Sequence, residues 1–238
     1  MTPLPACCTP LNAHWPLPIQ VPGTVLLSTI FDSTLLIDGD FQRSAVPLPV
    51  SIQRSIVKRQ AEFLIGRLCA RAALQKLDQL DYVPALGKDR APVWPEHISG
   101  SITHNTGHAA AIVGHKTQWC GLGVDLENVL TINRAECLAE EILTTNELLR
   151  MATLPHEQIA LLVTMTFSVK ESLFKALYPI VQKHFYFEHA EVLKWSQTGL
   201  VQLQLLKDLS TTWFYGRKLE GQFAISRGQL FSLVAIGA

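Results

Sequence analysis

Several things are scarce in this sequence, and each scarcity excludes a class of function. Net charge is absent: 20 Lys and Arg are balanced by 20 Asp and Glu. The whole-molecule field that draws a nucleic-acid binder to its ligand is therefore missing. Cysteine occurs only five times, at Cys7, Cys8, Cys69, Cys120 and Cys137. An odd number with no C-x-x-C pair indicates neither a disulfide framework nor a zinc site, and suits a reduced, cytoplasmic setting. No apolar run approaches the ~18 residues of a membrane span, and the start M-T-P-L-P-A-C-C-T-P lacks the basic region of a signal peptide. Low-complexity linkers are also missing. With 48% hydrophobic residues in 238, the chain has material for a full core, and disorder is not expected.

The charge that is present is unevenly spread. Gln42 to Arg90 holds nine Lys/Arg against four Asp/Glu, whereas Gly121 to Ala160 holds two against seven. A basic first part and an acidic second part suit an anionic ligand that brings a cation.

Proline punctuates residues 1–49, leaving one strand at Thr24 to Phe31. From Val50 the apolar spacing predicts a long amphipathic helix to about Leu80, with Arg67 and Arg71 on its polar face. A turn-rich G-K-D-R-A-P-V-W-P-E follows, then a short strand, a turn around His104 and Gly107, and a strand at Ala109 to Val113. Gly121 to Leu126 reads as another strand, with helices from about Asn133. Thr144 and Glu147 have capping-box spacing, and Pro155 opens a helix that runs to Tyr178 and ends at Pro179. The last third alternates at Val201, Leu203 and Leu205, and F-S-L-V-A-I closes it as a buried strand. A helix-then-strands unit occurs twice, with a boundary near Trp119: residues 1–119 and 120–238.

Three segments carry chemistry. In G-L-G-V-D-L-E-N, Asp125 and Glu127 stand two apart on a strand, so both point to one face about 7 Å apart. By themselves they fit an exposed strand end. A third acid, Glu171, lies with Lys170 and Lys175 on an otherwise apolar helix, where unpaired burial would be costly. Glu171 and Lys175 are also spaced as a simple helix salt bridge. Three carboxylates suit a hard divalent cation, with magnesium and a phosphorylated substrate expected. Arg67, Arg71, Lys88 and Arg90 offer charge-assisted donors to phosphates. The stretch G-S-I-T-H-N-T-G adds backbone N–H groups, Thr103 and His104. His108 and His115 have no such context and read as structural or surface residues.

Taken together and in order, these segments resemble the 4'-phosphopantetheinyl transferases of the surfactin and enterobactin type. The likeness rests on I-T-H at Ile102 to His104, G-V-D-L-E at Gly123 to Glu127, and F-S-V-K-E-S-L-F-K from Phe167 to Lys175. Two further matches, A-E-F-L-I-G-R-L-C-A-R from Ala61 and D-R-A-P-V-W-P from Asp89, are similar to the enterobactin branch. The resemblance implies an α+β fold of two similar halves related by a pseudo-twofold, each a small, mainly antiparallel sheet on a long helix. Coenzyme A is expected at their junction. It further implies magnesium held by Asp125, Glu127 and Glu171, with Lys170 and Lys175 assisting, and Arg67, Arg71, Arg90, Thr103 and His104 on the nucleotide and phosphates. The implied reaction moves the phosphopantetheine arm to a serine of an apo acyl or peptidyl carrier protein, with Glu171 or a metal-bound water as base, in a monomer. Thr103 stands where the family commonly has Ser, and Asn105 where the enterobactin branch frequently has Cys. Two rival readings remain: a catalytically silent coenzyme A or nucleotide-binding regulator, and a nucleic-acid module using the Arg-bearing helix. The first expects the loss of an acid or of Lys175, and the second expects net positive charge; neither is found.

Overall fold

In the computed structural model, residues 4–87 and 89–238 are described, and Lys88, one of the expected phosphate donors, lies outside them. The chain divides into two units, residues 1–15, 22–120 and 238 in one and 16–21 and 121–237 in the other. Residues 16–21 thus leave the first half of the sequence and pack with the second unit. There Gln222 clamps them, accepting from the Ile19 N–H and donating to its carbonyl at 2.9 and 2.8 Å.

The first unit begins with β1 (Thr24–Ile30), followed by α1 (Asp40–Arg43), α2 (Val50–Gln53) and α3 (Val57–Asp78). Two short strands, β2 (Ala85–Leu86) and β3 (Pro92–Val93), form a ribbon. The hairpin of β4 (Ile98–Asn105) and β5 (His108–His115) then completes a three-stranded antiparallel sheet in the order β1-β5-β4. The single helix expected from Val50 is in fact two, broken where Ile56 turns extended. Side chains take over the backbone's partners there: Ser55 Oγ bonds the Ser51 carbonyl, and Gln60 Nε2 caps the Gln53 and Ser55 carbonyls. The hairpin turn is tighter than the sequence suggested. His104 pairs with Ala109 inside the ladder, and only Thr106 and Gly107 turn, with Gly107 at φ 91°. On the sheet face toward α3, Ile102 meets Gly66, where an added Cβ would lie 2.8 Å from its Cγ2. Phe63, Leu64, Leu68 and Cys69 fill the core alongside.

The second unit is a five-stranded sheet in the order β6-β10-β9-β8-β7, built from β6 (Trp119–Asn128), β7 (Ala190–Trp195), β8 (Leu200–Leu205), β9 (Lys218–Ser226) and β10 (Gln229–Gly237). Between β6 and β7 run α4 (Ile132–Ile142), α5 (Thr145–Met151) and the 26-residue α6 (His156–Val181). The alternation read at Val201, Leu203 and Leu205 holds, all three being buried. The capping box at Thr144 and Glu147 is present. Pro179 does not end α6. The helix continues to Val181 and stops at Gln182 in the left-handed region, because a proline this near a C-terminus forfeits a single ladder bond and still accepts helical φ.

Small residues bring α6 onto the sheet. A Cβ on Gly123 would lie 1.9 Å from the Ser172 carbonyl oxygen, and one on Gly121 2.4 Å from that of Ala176. Ser168 and Ser172 each place Oγ 2.8 Å from Ser232 on β10. Bare backbone at positions 121 and 123 therefore sets strand against helix. Since residues two apart share a face, Asp125 and Glu127 look the same way.

Candidate active site

In the second unit the close approach of β6 and α6 gathers the acids. Asp125 is 4% exposed. Its Oδ1 accepts from the Lys175 ammonium at 2.6 Å, and the same ammonium donates to the Val124 carbonyl at 3.2 Å. Lys175 thus gives its hydrogen bonds to the strand, and the simple Glu171–Lys175 helix pair does not account for it. Glu127 and Glu171 are part-buried. Burial pushes the Glu127 carboxyl from 4.5 to about 7, with Asp125 and Glu171 adding to the rise and Lys175 opposing it. Glu171 is also raised, by burial first and then by Asp125, against Lys175. Three acids therefore share one ammonium. That surplus of half-buried negative charge fits a divalent, oxygen-seeking cation, and magnesium suits carboxylates that leave room for substrate oxygens.

Lys170 does not join this group. It is 3% exposed, and its ammonium donates to Glu147 Oε2 at 2.6 Å, to the Ile142 carbonyl at 2.9 Å and to the Phe187 carbonyl at 3.0 Å. All three donors of the ammonium are engaged, so the expected catalytic assistance gives way to an anchoring role. Burial lowers its pKa, against the pull of Glu147. Glu147 is as heavily used: beyond its cap it accepts from the Val192 N–H at 2.6 Å. Sequence spacing revealed the cap and missed the ion pair, because nothing local relates residue 147 to residue 170.

In the first unit the basic groups converge partly as expected. His104 shares the α3-facing side of β4 with Ile102. Its Nε2 lies 2.7 Å from Arg59 Nη1 and its Nδ1 3.5 Å from Glu62 Oε2. A guanidinium only donates, so Nε2 accepts and the proton sits on Nδ1, facing Glu62. Arg59 also bonds Glu62 at 3.3 Å. Arg59 and Glu62 are functional candidates that sequence reasoning passed over, although their i,i+3 spacing ahead of Arg67 was a readable signal.

The expectation that Arg67 lies on a polar helix face is wrong. It is 5% exposed, with its guanidinium 4.4 Å over the Phe63 ring. Burial, with Arg59 adding, pushes its pKa down to about 10. Its Nε is buried with no hydrogen-bond partner among the described residues, an unmet donor that fits an anion. Arg71 is tied to the Ser44 carbonyl at 2.8 Å, with Asp81 4.0 Å away. Arg90 is exposed, at φ 71° in the turn after β2. Thr103 is buried on the opposite face of β4 from His104, so the two do not act from one side.

The sequence places this arrangement in a known family. The profile for the 4'-phosphopantetheinyl transferase N-terminal domain matches residues 49–114, and that for the 4'-phosphopantetheinyl transferase superfamily matches residues 121–227. Enterobactin synthase component D of Salmonella typhi is 33% identical over 168 residues, covering 70% of this chain and 67% of that protein. The 4'-phosphopantetheinyl transferase PptT of Mycobacterium tuberculosis is 30% identical over 212 residues, covering 80% and 86%. The 4'-phosphopantetheinyl transferase Svp of Streptomyces mobaraensis is 32% identical over 202 residues, covering 79% and 76%. The chain belongs to the 4'-phosphopantetheinyl transferase superfamily, in its surfactin and enterobactin type. No helix among the described residues is long and apolar enough to cross a membrane.

Proposed function

We propose that this chain moves the 4'-phosphopantetheine arm of coenzyme A onto a serine of an apo acyl or peptidyl carrier protein, acting as a monomer and with magnesium. The observation that carries the metal assignment is the Glu127 carboxyl held at about 7 by burial and two neighbouring acids, a charge arrangement completed by a divalent cation. Asp125, Glu127 and Glu171 would hold the ion, which when bound supplies charge neutralisation at the pyrophosphate.

The chain's own groups do the rest. The serine hydroxyl oxygen attacks the β-phosphorus, a new P–O bond forms, and the bond to the bridging oxygen breaks to release adenosine 3',5'-bisphosphate. Lys175, held beside Asp125, meets the charge that grows on that oxygen, where a fixed ammonium acts without reorganisation. Glu171, whose pKa burial raises, takes the serine proton on its carboxylate. Arg59, Arg67, His104, Arg71 and the exposed Arg90 bind phosphates of the nucleotide end. The buried, unmet Nε of Arg67 is the strongest support for an anion there.

Titration calorimetry tests the binding half of this reading. Coenzyme A is expected to bind more tightly with magnesium than with chelator in the wild type, and this gain is expected to vanish in Asp125→Ala. A magnesium dependence unaltered by that substitution would overturn the metal assignment.

A further inference from the structure

A second cluster of metal-ligating side chains lies in the first unit, at the opposite end of α3 from Arg59. Asp78 is the last residue of the helix, His97 precedes β4, and His115 ends β5. Asp78 Oδ2 lies 3.1 Å from His97 Nε2, and its Oδ1 lies 3.2 Å from His115 Nε2. The two imidazoles stack with ring centroids 6.1 Å apart. One ligand atom from each of the three residues falls within 4.8 Å of the other two. We propose that Asp78, His97 and His115 form a site for a divalent first-row transition ion of the zinc type, held by two imidazole nitrogens and one carboxylate oxygen with positions left for water.

Four observations support it. In a tetrahedral shell with bonds of ~2.0–2.1 Å, neighbouring ligand atoms sit ~3.3 Å apart. Asp78 meets the two histidines at 3.1 and 3.2 Å through different oxygens, and the three ligand atoms lie within 4.8 Å of one another, so rotation of the carboxylate and the rings brings one oxygen and both nitrogens onto an ion. The donor set is two histidines and a carboxylate, which selects zinc, copper or nickel over magnesium. The backbone holding the histidines is fixed: the His97 carbonyl accepts from the Lys116 N–H at 2.9 Å, the His115 carbonyl from the Gln118 N–H at 3.0 Å, and His115 is in register with Ile98. Finally, a carboxylate at a helix C-terminus faces the negative end of the dipole, a poor place for an acid unless a cation joins it.

In the metal-free chain each Nε2 carries a hydrogen toward Asp78, because a carboxylate only accepts. An ion takes the place of both hydrogens. For an ion to bind Nε2 of a neutral imidazole, its single hydrogen must move from Nε2 to Nδ1. A doubly protonated ring instead releases its Nε2 proton to solvent and keeps the one on Nδ1, so affinity falls as the pH drops. Such an ion would pin the end of α3 to the open end of the β4–β5 hairpin. The site differs in composition from the acidic one in the second unit, in a way spectroscopy detects.

Copper(II) is the probe, added at one equivalent to the full chain with magnesium in large excess to occupy the all-oxygen site. Electron paramagnetic resonance is expected to show nitrogen couplings from two imidazoles. Zinc is expected to displace the copper only in large excess, since copper(II) binds such donors more tightly. His97→Ala and His115→Ala are each expected to weaken zinc binding at least ~10-fold, as is Asp78→Asn. The histidines are 56% and 36% exposed, so their replacement leaves the core intact, which circular dichroism checks. A zinc-induced rise in melting temperature in the wild type and none in the His97→Ala/His115→Ala double variant would support the pin. Couplings from at most one imidazole, or unchanged zinc affinity in the folded double variant, would overturn the proposal and leave Asp78 as an ordinary acceptor for two histidines.

Discussion

Replacing Glu127 by glutamine tests the electrostatics of the acidic site quantitatively. The carboxyl is held at about 7 against an ordinary 4.5, chiefly by burial. A carboxyl whose folded pKa lies above its unfolded value binds its proton more readily in the folded chain. Folding is therefore least penalised below about pH 4.5, and stability is lost as the pH rises from there through about 7. The full gap corresponds to at most about 3 kcal/mol, and screening of a part-exposed group reduces this to about 1–2 kcal/mol. Glu127→Gln keeps the shape and removes the charge. In chelator at pH 8 it is expected to raise the melting temperature by about 2–8 °C, given ~2–4 °C per kcal/mol for a chain of this size. At pH 4.5 it is expected to change little. Magnesium at pH 8 is expected to stabilise the wild type more than the variant, because the cation restores the missing neutralisation. Calorimetric or circular-dichroism melts across pH 4.5–8 make the measurement. A variant no more stable than the wild type at pH 8, or an unchanged pH dependence, would refute the reasoning.

Other substitutions separate anchoring from chemistry. Lys170→Met is expected to cost about 3–5 kcal/mol in urea unfolding because it strands the buried Glu147, and adding Glu147→Gln is expected to recover part of this. A stable Lys170→Met chain with slow turnover would return Lys170 to the reaction. Gly123→Ala drives a Cβ against the Ser172 carbonyl, so stability is expected to fall by about 1–3 kcal/mol or more, with turnover falling as β6 shifts from α6; neutrality in melts and kinetics would contradict the close approach. Lys175→Ala is expected to lower kcat by ~10²-fold with a smaller change in coenzyme A affinity, and near-normal kcat would reduce it to a salt bridge. Arg59→Ala is expected to weaken coenzyme A binding by about 1.5–3 kcal/mol, and equal calorimetric affinity would remove it from the phosphate group.

How much of this was legible in the sequence depended on whether the signal was local. Strand alternation at Val201 to Leu205 and the Thr144–Glu147 cap are short-range patterns and read correctly. The shared face of Asp125 and Glu127 follows from strand geometry alone. The role of Gly121 and Gly123 was hidden, since a glycine in a strand does not announce that a helix carbonyl lies against it. Lys170 was misread for a related reason: on a helix next to Glu171 it has the spacing of an active-site lysine, but its partner is 23 residues away. Arg67 looked like polar surface because its sequence neighbours do not reveal that Phe63 and burial enclose it. His97 and His115 meet at Asp78 only through the β4–β5 hairpin and its packing on α3, so no spacing rule joins them.

If the acidic site of the second unit drives transfer from coenzyme A, intact-mass spectrometry of the acceptor shows it most directly. A panel of purified apo acyl and peptidyl carrier proteins, incubated with coenzyme A, magnesium and the wild-type chain, is predicted to include a carrier that gains the mass of one phosphopantetheine arm. With Asp125→Ala the gain is predicted to be lost while the chain still melts cooperatively. Modification by folded Asp125→Ala at the wild-type rate, or no gain in any carrier with active coenzyme A and magnesium present, would contradict the account.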